Sequence, residues 1–343
     1  MSYLVNKALD PAAVPAPSSE ALAFHKSLDG YEPTPLRELP GLAAELGLAA
    51  VAVKDESSRL GLPAFKVLGA SWAVELALRE QPDVHTLVAA SAGNHGRAVA
   101  HVAARRGLAA RIYLPARSAQ ARRDAIAGEG AEVVVVEGSY EEAVERATQD
   151  GERPGFLLLS DVGDSPPARW VIDGYATLFN EIAAQWEFDV LMVPAGVGSL
   201  AAAAARFGAA HGTTVIAVEP VTAACLTASL AAGEPTAVET PGTTMAGLDC
   251  AEVSSAAWPT LRAGIHGTVT VTDEQAHAAM RALAASGLAI GESGAAPLAA
   301  LRELTDVLGP QSRVVLIATE GPTDPVAYNR VVASGSDGRT GGG

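Results

Sequence analysis

The sequence predicts an α/β protein made of two doubly wound parallel-sheet lobes. Three observations predict it. Short Val/Ile/Leu-rich runs alternate along the chain with amphipathic or alanine-rich segments, the pattern of βα units whose parallel strands are buried on both faces. Glycine-containing turns follow several of those runs, at the strand ends where open α/β sheets hold ligands. With 343 residues and 49% hydrophobic content, the chain is long enough for two lobes.

Taken in order, the apolar runs predict strands at 50–53, 86–90, 110–114, 132–136, 156–159, 190–193, 214–218 and 313–317. Between them, helical periodicity or alanine content predicts helices at 97–106, 119–128, 140–150, 175–185, 199–210, 273–286 and 295–308. The alanine run from Ala201 to Ala205 reads as a small-residue helix. The polar stretch 160–170 is the expected crossing between lobes, and the Gly/Ser-rich residues 334–343 read as a disordered tail.

Charge narrows the partners. A net charge of −15, from 24 basic and 39 acidic residues, argues against nucleic acid or an anionic membrane, which demand neutralising Lys and Arg. No segment is long and apolar enough to span a bilayer, and Met1-Ser2-Tyr3-Leu4-Val5-Asn6-Lys7 lacks the pattern of a signal peptide, so a cytoplasmic address is expected. Cys225 and Cys250 lack metal-ligand spacing and read as buried thiols, with a redox pair as the alternative. No metal site is expected.

Three motifs carry chemistry. Lys66 lies between Phe65 and Val67, just before the small-residue helix start Gly69-Ala70-Ser71. A lysine that condenses with an aldehyde must spend time as the neutral amine, which partial burial or a positive field promotes. After the strand at 86–90 comes Ser91-Ala92-Gly93-Asn94-His95-Gly96. Its glycines let the backbone approach a flat ring, and Asn94 either hydrogen-bonds that ring or caps the helix; His95 packs locally or acts as a base. After the strand at 190–193, Ala195-Gly196-Val197-Gly198-Ser199 runs into the alanine helix, so successive N–H groups and the helix dipole converge on one anion. A dinucleotide loop is the rival reading, weakened because Ala201 stands where the third glycine of GxGxxG would be. Thr319, just past the strand at 313–317, places a hydroxyl where it could meet a pyridine nitrogen or simply end the strand. An amine, an anion cradle and a ring contact together point to pyridoxal phosphate.

With those residues in hand, the chain resembles fold-type II pyridoxal-phosphate enzymes of tryptophan synthase β-like architecture, and among them the diaminopropionate ammonia-lyase family. The resemblance spans nearly the whole chain. It rests on Tyr31-Glu32-Pro33-Thr34-Pro35-Leu36, Val53-Lys54-Asp55-Glu56-Ser57 with Arg59, Ala64-Phe65-Lys66, Gly93-Asn94-His95-Gly96-Arg97 and the Gly196 loop. It continues through Val218-Glu219-Pro220, Met245-Ala246-Gly247-Leu248, Gly291-Glu292-Ser293-Gly294-Ala295 and Thr319-Glu320-Gly321. By that resemblance Lys66 is the Schiff-base lysine, Asn94 contacts the ring, and Gly196, Val197, Gly198 and Ser199 hold the phosphate. Thr319 then lies near the pyridine nitrogen, and Ser91, Ala92, Gly93 and His95 line the substrate. Residues 1–69 and 171–333 would form the larger, phosphate-binding lobe and 70–170 the smaller, mobile one, in a homodimer.

One departure bears on stereochemistry. The family usually carries an aspartate before Gly-Asn-His-Gly, associated with proton removal from the D-substrate, and here that position is Ala92. The turn instead resembles that of serine and threonine dehydratases. A second acidic residue of the family corresponds to Asp161, with Asp164 close enough to compete. The resemblance therefore implies α,β-elimination of ammonia from L-2,3-diaminopropionate, with Lys66 and Asp161 as the catalytic pair. The alternatives are a serine/threonine-type dehydratase or β-replacement enzyme, and a non-catalytic cofactor or amino-acid binding module.

Overall fold

The computed structural model describes residues 3–334, so the tail expected at 334–343 lies, beyond Ser334, outside the described residues. Two compact units divide the chain. The larger holds Met1–Pro17, Gly30–Phe65 and Leu178–Gly343, and the smaller holds Ser18–Asp29 and Lys66–Thr177. The strands are β1 (Tyr3–Val5), β2 (Leu36–Glu38), β3 (Ala50–Asp55), β4 (Thr86–Ala90), β5 (Ala109–Pro115), β6 (Glu132–Val136), β7 (Phe156–Leu158), β8 (Val190–Pro194), β9 (Thr214–Pro220), β10 (Gly267–Val271) and β11 (Arg313–Ala318).

In the larger unit a seven-stranded sheet has the order β1-β10-β9-β8-β11-β3-β2. Its inner strands are parallel, and only the short outer strands β1 and β2 run antiparallel to their neighbours. Strands β8 and β10 are buried at every residue; β8 reads accordingly as an unbroken apolar run, whereas β10 alternates Thr and Val. The helix Ser199–His211 buries Ala201 to Ala205, and their small side chains let it lie close on its neighbours. Val314, Met192, Ile216, Ile290 and Leu301 join one apolar core, each fully buried large side chain contributing about 1.5–3 kcal/mol.

The smaller unit carries a four-stranded parallel sheet, order β6-β5-β4-β7. The unit boundaries fall at 65/66 and 177/178, against the expected 69/70 and 170/171. Ser18–Asp29 belongs here because the helix Ala21–Lys26 buries His25, whose Nδ1 lies 2.6 Å from Thr177 Oγ1 and whose Nε2 lies 3.0 Å from the Leu68 carbonyl. The stretch expected to be a crossing is instead the entry to a helix, Pro166–Gly174. Ser165 caps it by accepting from the Ala168 amide at 3.4 Å, and Pro fills the first turn, where a missing N–H costs nothing.

Other differences have local causes. The helix expected at 295–308 runs instead over Glu292–Glu303, so Gly291 is its N-cap and the Gly-Glu-Ser-Gly-Ala segment forms its first turn. Beyond Glu303 the chain breaks into turns in which Leu304 is buried. The helix Lys66–Glu80, fifteen residues long, begins at Lys66 itself. Among the described residues, no helix is long and apolar enough to cross a membrane.

Candidate active site

Strand order decides where each sheet can hold a ligand. In the smaller sheet the chain moves outward from β4 to β5 and β6, then returns to add β7 on the other side of β4. The loops after β4 and β7 therefore diverge, leaving the crevice of a topological switch point. Ser91-Ala92-Gly93 follows β4, and Leu159-Ser160-Asp161 follows β7. The larger sheet repeats the device, since β8 leads outward to β9 and β10 while β11 inserts between β8 and β3. The Gly196 loop follows β8 and Thr319 follows β11.

In the smaller unit Lys66 meets Asp161. The Lys66 Nζ donates to Asp161 Oδ2 at 2.8 Å, with side chains 20% and 17% exposed. Lys66 opens a helix whose positive dipole end opposes a cation there, and the Asp161 carboxylate offsets that field. Its chain neighbours Phe65 and Val67 are both buried. His95 is the third member. Its buried Nε2 lies 2.8 Å from the Leu159 carbonyl, which can only accept, so Nε2 carries the proton and Nδ1 faces Asp161 Oδ2 at 3.8 Å. Burial alone would push the Asp161 carboxyl up, but the charges of His95 and Lys66 outweigh it and hold the group well below the usual carboxylate range.

Around that pair the remaining expected residues take their places. Ser91 Oγ accepts from the Gly93 amide at 3.2 Å, and Gly93, not Asn94, is the N-cap of the helix Asn94–Arg106. Ala92 brings no ionisable group to the turn. Asp164 is drawn elsewhere: its exposed carboxylate accepts from Arg169 at 2.7 Å. Tyr175 is fully buried with its ring against Gly69 of the helix that Lys66 opens, and burial pushes its phenol up while the charge of Lys66 pulls the other way. In the sequence it stood only as the first residue of an expected helix. An aromatic hydroxyl at a helix junction carries no signal that separates it from an ordinary core tyrosine.

The larger unit builds an anion cradle. Gly198 caps the helix Ser199–His211 with φ +94°, a left-handed conformation that glycine adopts without strain, and no side chain caps that end. At Gly196 an added Cβ would lie 2.8 Å from the Gly247 carbonyl and 3.0 Å from Cys250 Sγ, so only glycine fits there. Thr319 is buried, and its carbonyl accepts from the Phe65 amide at 3.3 Å. The Gly321 amide donates to the Pro63 carbonyl at 3.0 Å, so the segment leading to Lys66 is stitched to the segment after β11. The donor set fits pyridoxal phosphate: an amine for its aldehyde, and a glycine-bounded helix N-terminus for its phosphate.

Cys225 and Cys250 are not joined by a disulfide. Cys225 is buried, and burial followed by the nearby Glu219 pushes its thiol up, the behaviour of a structural cysteine.

Comparison with known proteins agrees with this geometry. Residues 28–320 match the family of pyridoxal-phosphate dependent enzymes. The diaminopropionate ammonia-lyase of Salmonella typhimurium is 34% identical, over 92% of this chain and 92% of that protein. The crystal structure of the Escherichia coli diaminopropionate ammonia lyase in complex with an aminoacrylate-PLP azomethine reaction intermediate superposes with TM-score 0.90 at 32% identity, covering 98% of this chain and 97% of that one. The same Escherichia coli enzyme in complex with D-serine gives TM-score 0.90 at 30% identity, with 98% of each chain covered. A lysine and an anion cradle at the switch points of two parallel sheets, matched along almost the whole length by these relatives, place the chain among the pyridoxal-phosphate-dependent enzymes, in the diaminopropionate ammonia-lyase family.

Proposed function

We propose that this chain eliminates ammonia from 2,3-diaminopropionate, preferring the L form. The Cα–H and Cβ–N bonds break, and hydrolysis of the resulting enamine gives pyruvate and the second ammonia. The observation that carries the reading is the 2.8 Å pairing of Lys66 with Asp161 beside a turn in which Ala92 offers no base. Pyridoxal phosphate, when bound, supplies the electron sink that makes a Cα proton removable.

The chain's own residues do the rest. With the cofactor bound, the glycine-bounded amides of Gly196, Val197, Gly198 and Ser199 would hold its phosphate, Asn94 would contact its ring and Thr319 would lie at its pyridine nitrogen. A hydroxyl there would leave the nitrogen without a full charge, which would suit elimination better than transamination. Lys66 Nζ, as an amine, takes the Cα proton. Asp161, held ionised, grips the substrate's β-ammonium and keeps the leaving nitrogen in line. The turn Ser91, Ala92, Gly93 and His95 lines the substrate.

The test is pyruvate release from L- and D-2,3-diaminopropionate. Faster release from the L form is expected, and Ala92→Asp should raise turnover of the D form; equal rates from both enantiomers would overturn the preference. A dehydratase reading has its own support, because the Ser91-Ala92-Gly93-Asn94-His95 turn resembles that of serine and threonine dehydratases. A 2-oxo acid from L-serine or L-threonine, with none from diaminopropionate, would favour it.

A further inference from the structure

We propose that Glu219 is a positioning residue for the anion cradle: acting through Cys225, it holds the Gly196 carbonyl turned inward and so leaves the Val197 amide to the phosphate. The inference rests on the reading of residues 196–199 as the phosphate loop, and gives a task to the Val218-Glu219-Pro220 motif, which the mechanism leaves unused.

Two carbonyls of the loop are tied back into the larger unit. The Val197 carbonyl accepts from the Ser254 amide at 2.8 Å, and the Gly196 carbonyl accepts from the Cys225 thiol at 3.7 Å, a separation set by the size of sulfur. In a trans peptide the N–H points opposite to the C=O, so these contacts direct the Val197 and Gly198 amides the other way. Among the described residues, no protein acceptor takes a bond from the Gly196, Val197 or Gly198 amide. Three successive donors left over at a helix N-terminus suit one anion.

Cys225 owes its place to Glu219. It opens the helix Cys225–Ala232, whose N-cap residue, Ala224, has no side chain to cap it. Glu219 caps it instead from the neighbouring strand β9: one carboxylate oxygen accepts from the Leu226 amide at 2.7 Å, the other from the Thr227 amide at 2.8 Å and the Thr227 hydroxyl at 2.6 Å. Glu219 and Cys225 are both fully buried. Ser, Asp or Asn at position 224 would cap the helix without taking a charge so far out of water, so capping alone gives no reason for a buried carboxylate. The strand supplies the reason. Val218, next to Glu219, accepts from the Ala195 amide at 2.8 Å, so the end of β9 fixes both the start of the loop and the turn that carries Cys225.

Affinity for two aldehydes tests this apart from turnover. Full-length protein stripped of cofactor is titrated with pyridoxal phosphate and with pyridoxal, which lacks the phosphate, and lysine attachment is read by absorbance. Glu219→Gln keeps the shape but sets an NH2 group against one of the two amides. It is expected to weaken pyridoxal phosphate roughly tenfold and to leave pyridoxal within about twofold. Cys225→Ala is expected to weaken pyridoxal phosphate about threefold, and the double variant no more than Glu219→Gln alone, since one residue acts through the other. Equal losses for both aldehydes would overturn the proposal, being the mark of general damage. So would additive losses in the double variant, or pyridoxal phosphate bound at natural strength by either single variant. If Glu219→Gln does not fold, Cys225→Ala decides alone by the same two titrations. A natural protein that takes pyridoxal as tightly as pyridoxal phosphate would mean that the loop holds no phosphate, and both ideas fall; a natural preference that survives Glu219→Gln sinks the positioning role alone.

Discussion

Two charge clusters lie within a dozen residues of each other in sequence, one in each unit, and they are built to opposite ends. Around Arg59, in the larger unit, every donor is used. The guanidinium reaches both carboxylate oxygens of Glu56 and both of Glu181, with bonds from 2.5 to 2.8 Å, and lies 3.0 Å from Thr34 Oγ1. Lys54 spends its three N–H groups on the Thr34 carbonyl, Gln185 and Glu181. Two cations balance two carboxylates, and the Arg59 and Lys54 side chains are both 0% exposed. Around Lys66, in the smaller unit, the ion pair is open to solvent on one side, and His95 Nδ1 stops 3.8 Å short of Asp161. A sealed, balanced cluster can only hold structure. A partly open pair, with a histidine short of hydrogen-bond distance beside it, can pass a proton.

Substitution should separate the two most sharply at their centres. Lys66→Ala is expected to abolish cofactor attachment and cut pyruvate release by about 10⁴-fold, while the denaturation midpoint barely moves. Arg59→Met should do the reverse. It strands Glu56 and Glu181 with Lys54 as their one remaining cation, and breaking a buried network from one side costs about 3–5 kcal/mol, to be read from urea unfolding. An Arg59→Met protein as stable as the natural one would mean that water reaches the cluster.

The contrast also shows what was legible in the sequence. The motif Val53-Lys54-Asp55-Glu56-Ser57 with Arg59 carried the family resemblance as strongly as the Lys66 segment did, yet its side chains go into the sealed cluster. Motif strength does not distinguish a structural charge from a chemical one; partner count and exposure do. Strands β3, β4, β5, β8, β9 and β11 were readable because burial on both faces demands unbroken apolar runs; the edge strands β6 and β7 are only partly buried and were readable from their short apolar runs. The three-residue β1 and β2 were not, since their exposed residues carry no such demand and tertiary pairing alone defines them. Neither was β10, where Thr268 and Thr270 break the apolar run. Asp161 was reachable because it ends a legible strand. The buried place of Tyr175 was not, because it comes from two helices meeting at glycines distant in sequence.

A smaller effect probes the open pair from its acidic side. Asp161→Asn keeps shape and hydrogen bonding but removes the charge facing Lys66 and His95, and turnover is expected to fall roughly 10²-fold. The Asp161 carboxyl is held below its ordinary range, so its stabilising contribution is complete above about pH 4 and is lost only as pH falls through the lowered folded value. Between pH 5 and 7 the natural protein should therefore show no activity loss that disappears in Asp161→Asn. A pH–rate limb in that window that the substitution removes would mean that Asp161 titrates there, and that the cluster is less polar than its distances imply.

The smallest effect belongs to a third cluster, at the surface of the smaller unit, which completes the scale from sealed to exposed. Asp150 accepts from Arg111 at 2.7 Å, Arg153 at 2.8 Å and the Tyr113 phenol at 2.9 Å, while the Arg153 side chain is 53% exposed. Burial opposes ionisation, but the bonds from Arg153, Arg111 and Tyr113 prevail and lower the carboxyl to about 2 from an ordinary 3.8. As pH falls from about 4 to 2, the unfolded chain takes up a proton that the folded one still refuses, so folding loses stability across that window and not above it. Solvent screens so exposed a cluster, and the contribution should stay below about 1 kcal/mol. Thermal unfolding of Asp150→Asn between pH 2 and 7 should show a midpoint slightly lowered at neutral pH and a shallower acid decline than that of the natural protein. If Asp150→Asn matched the effect of Arg59→Met, partner number alone would set the worth of an ion pair, and the distinction drawn here between sealed and open clusters would fail.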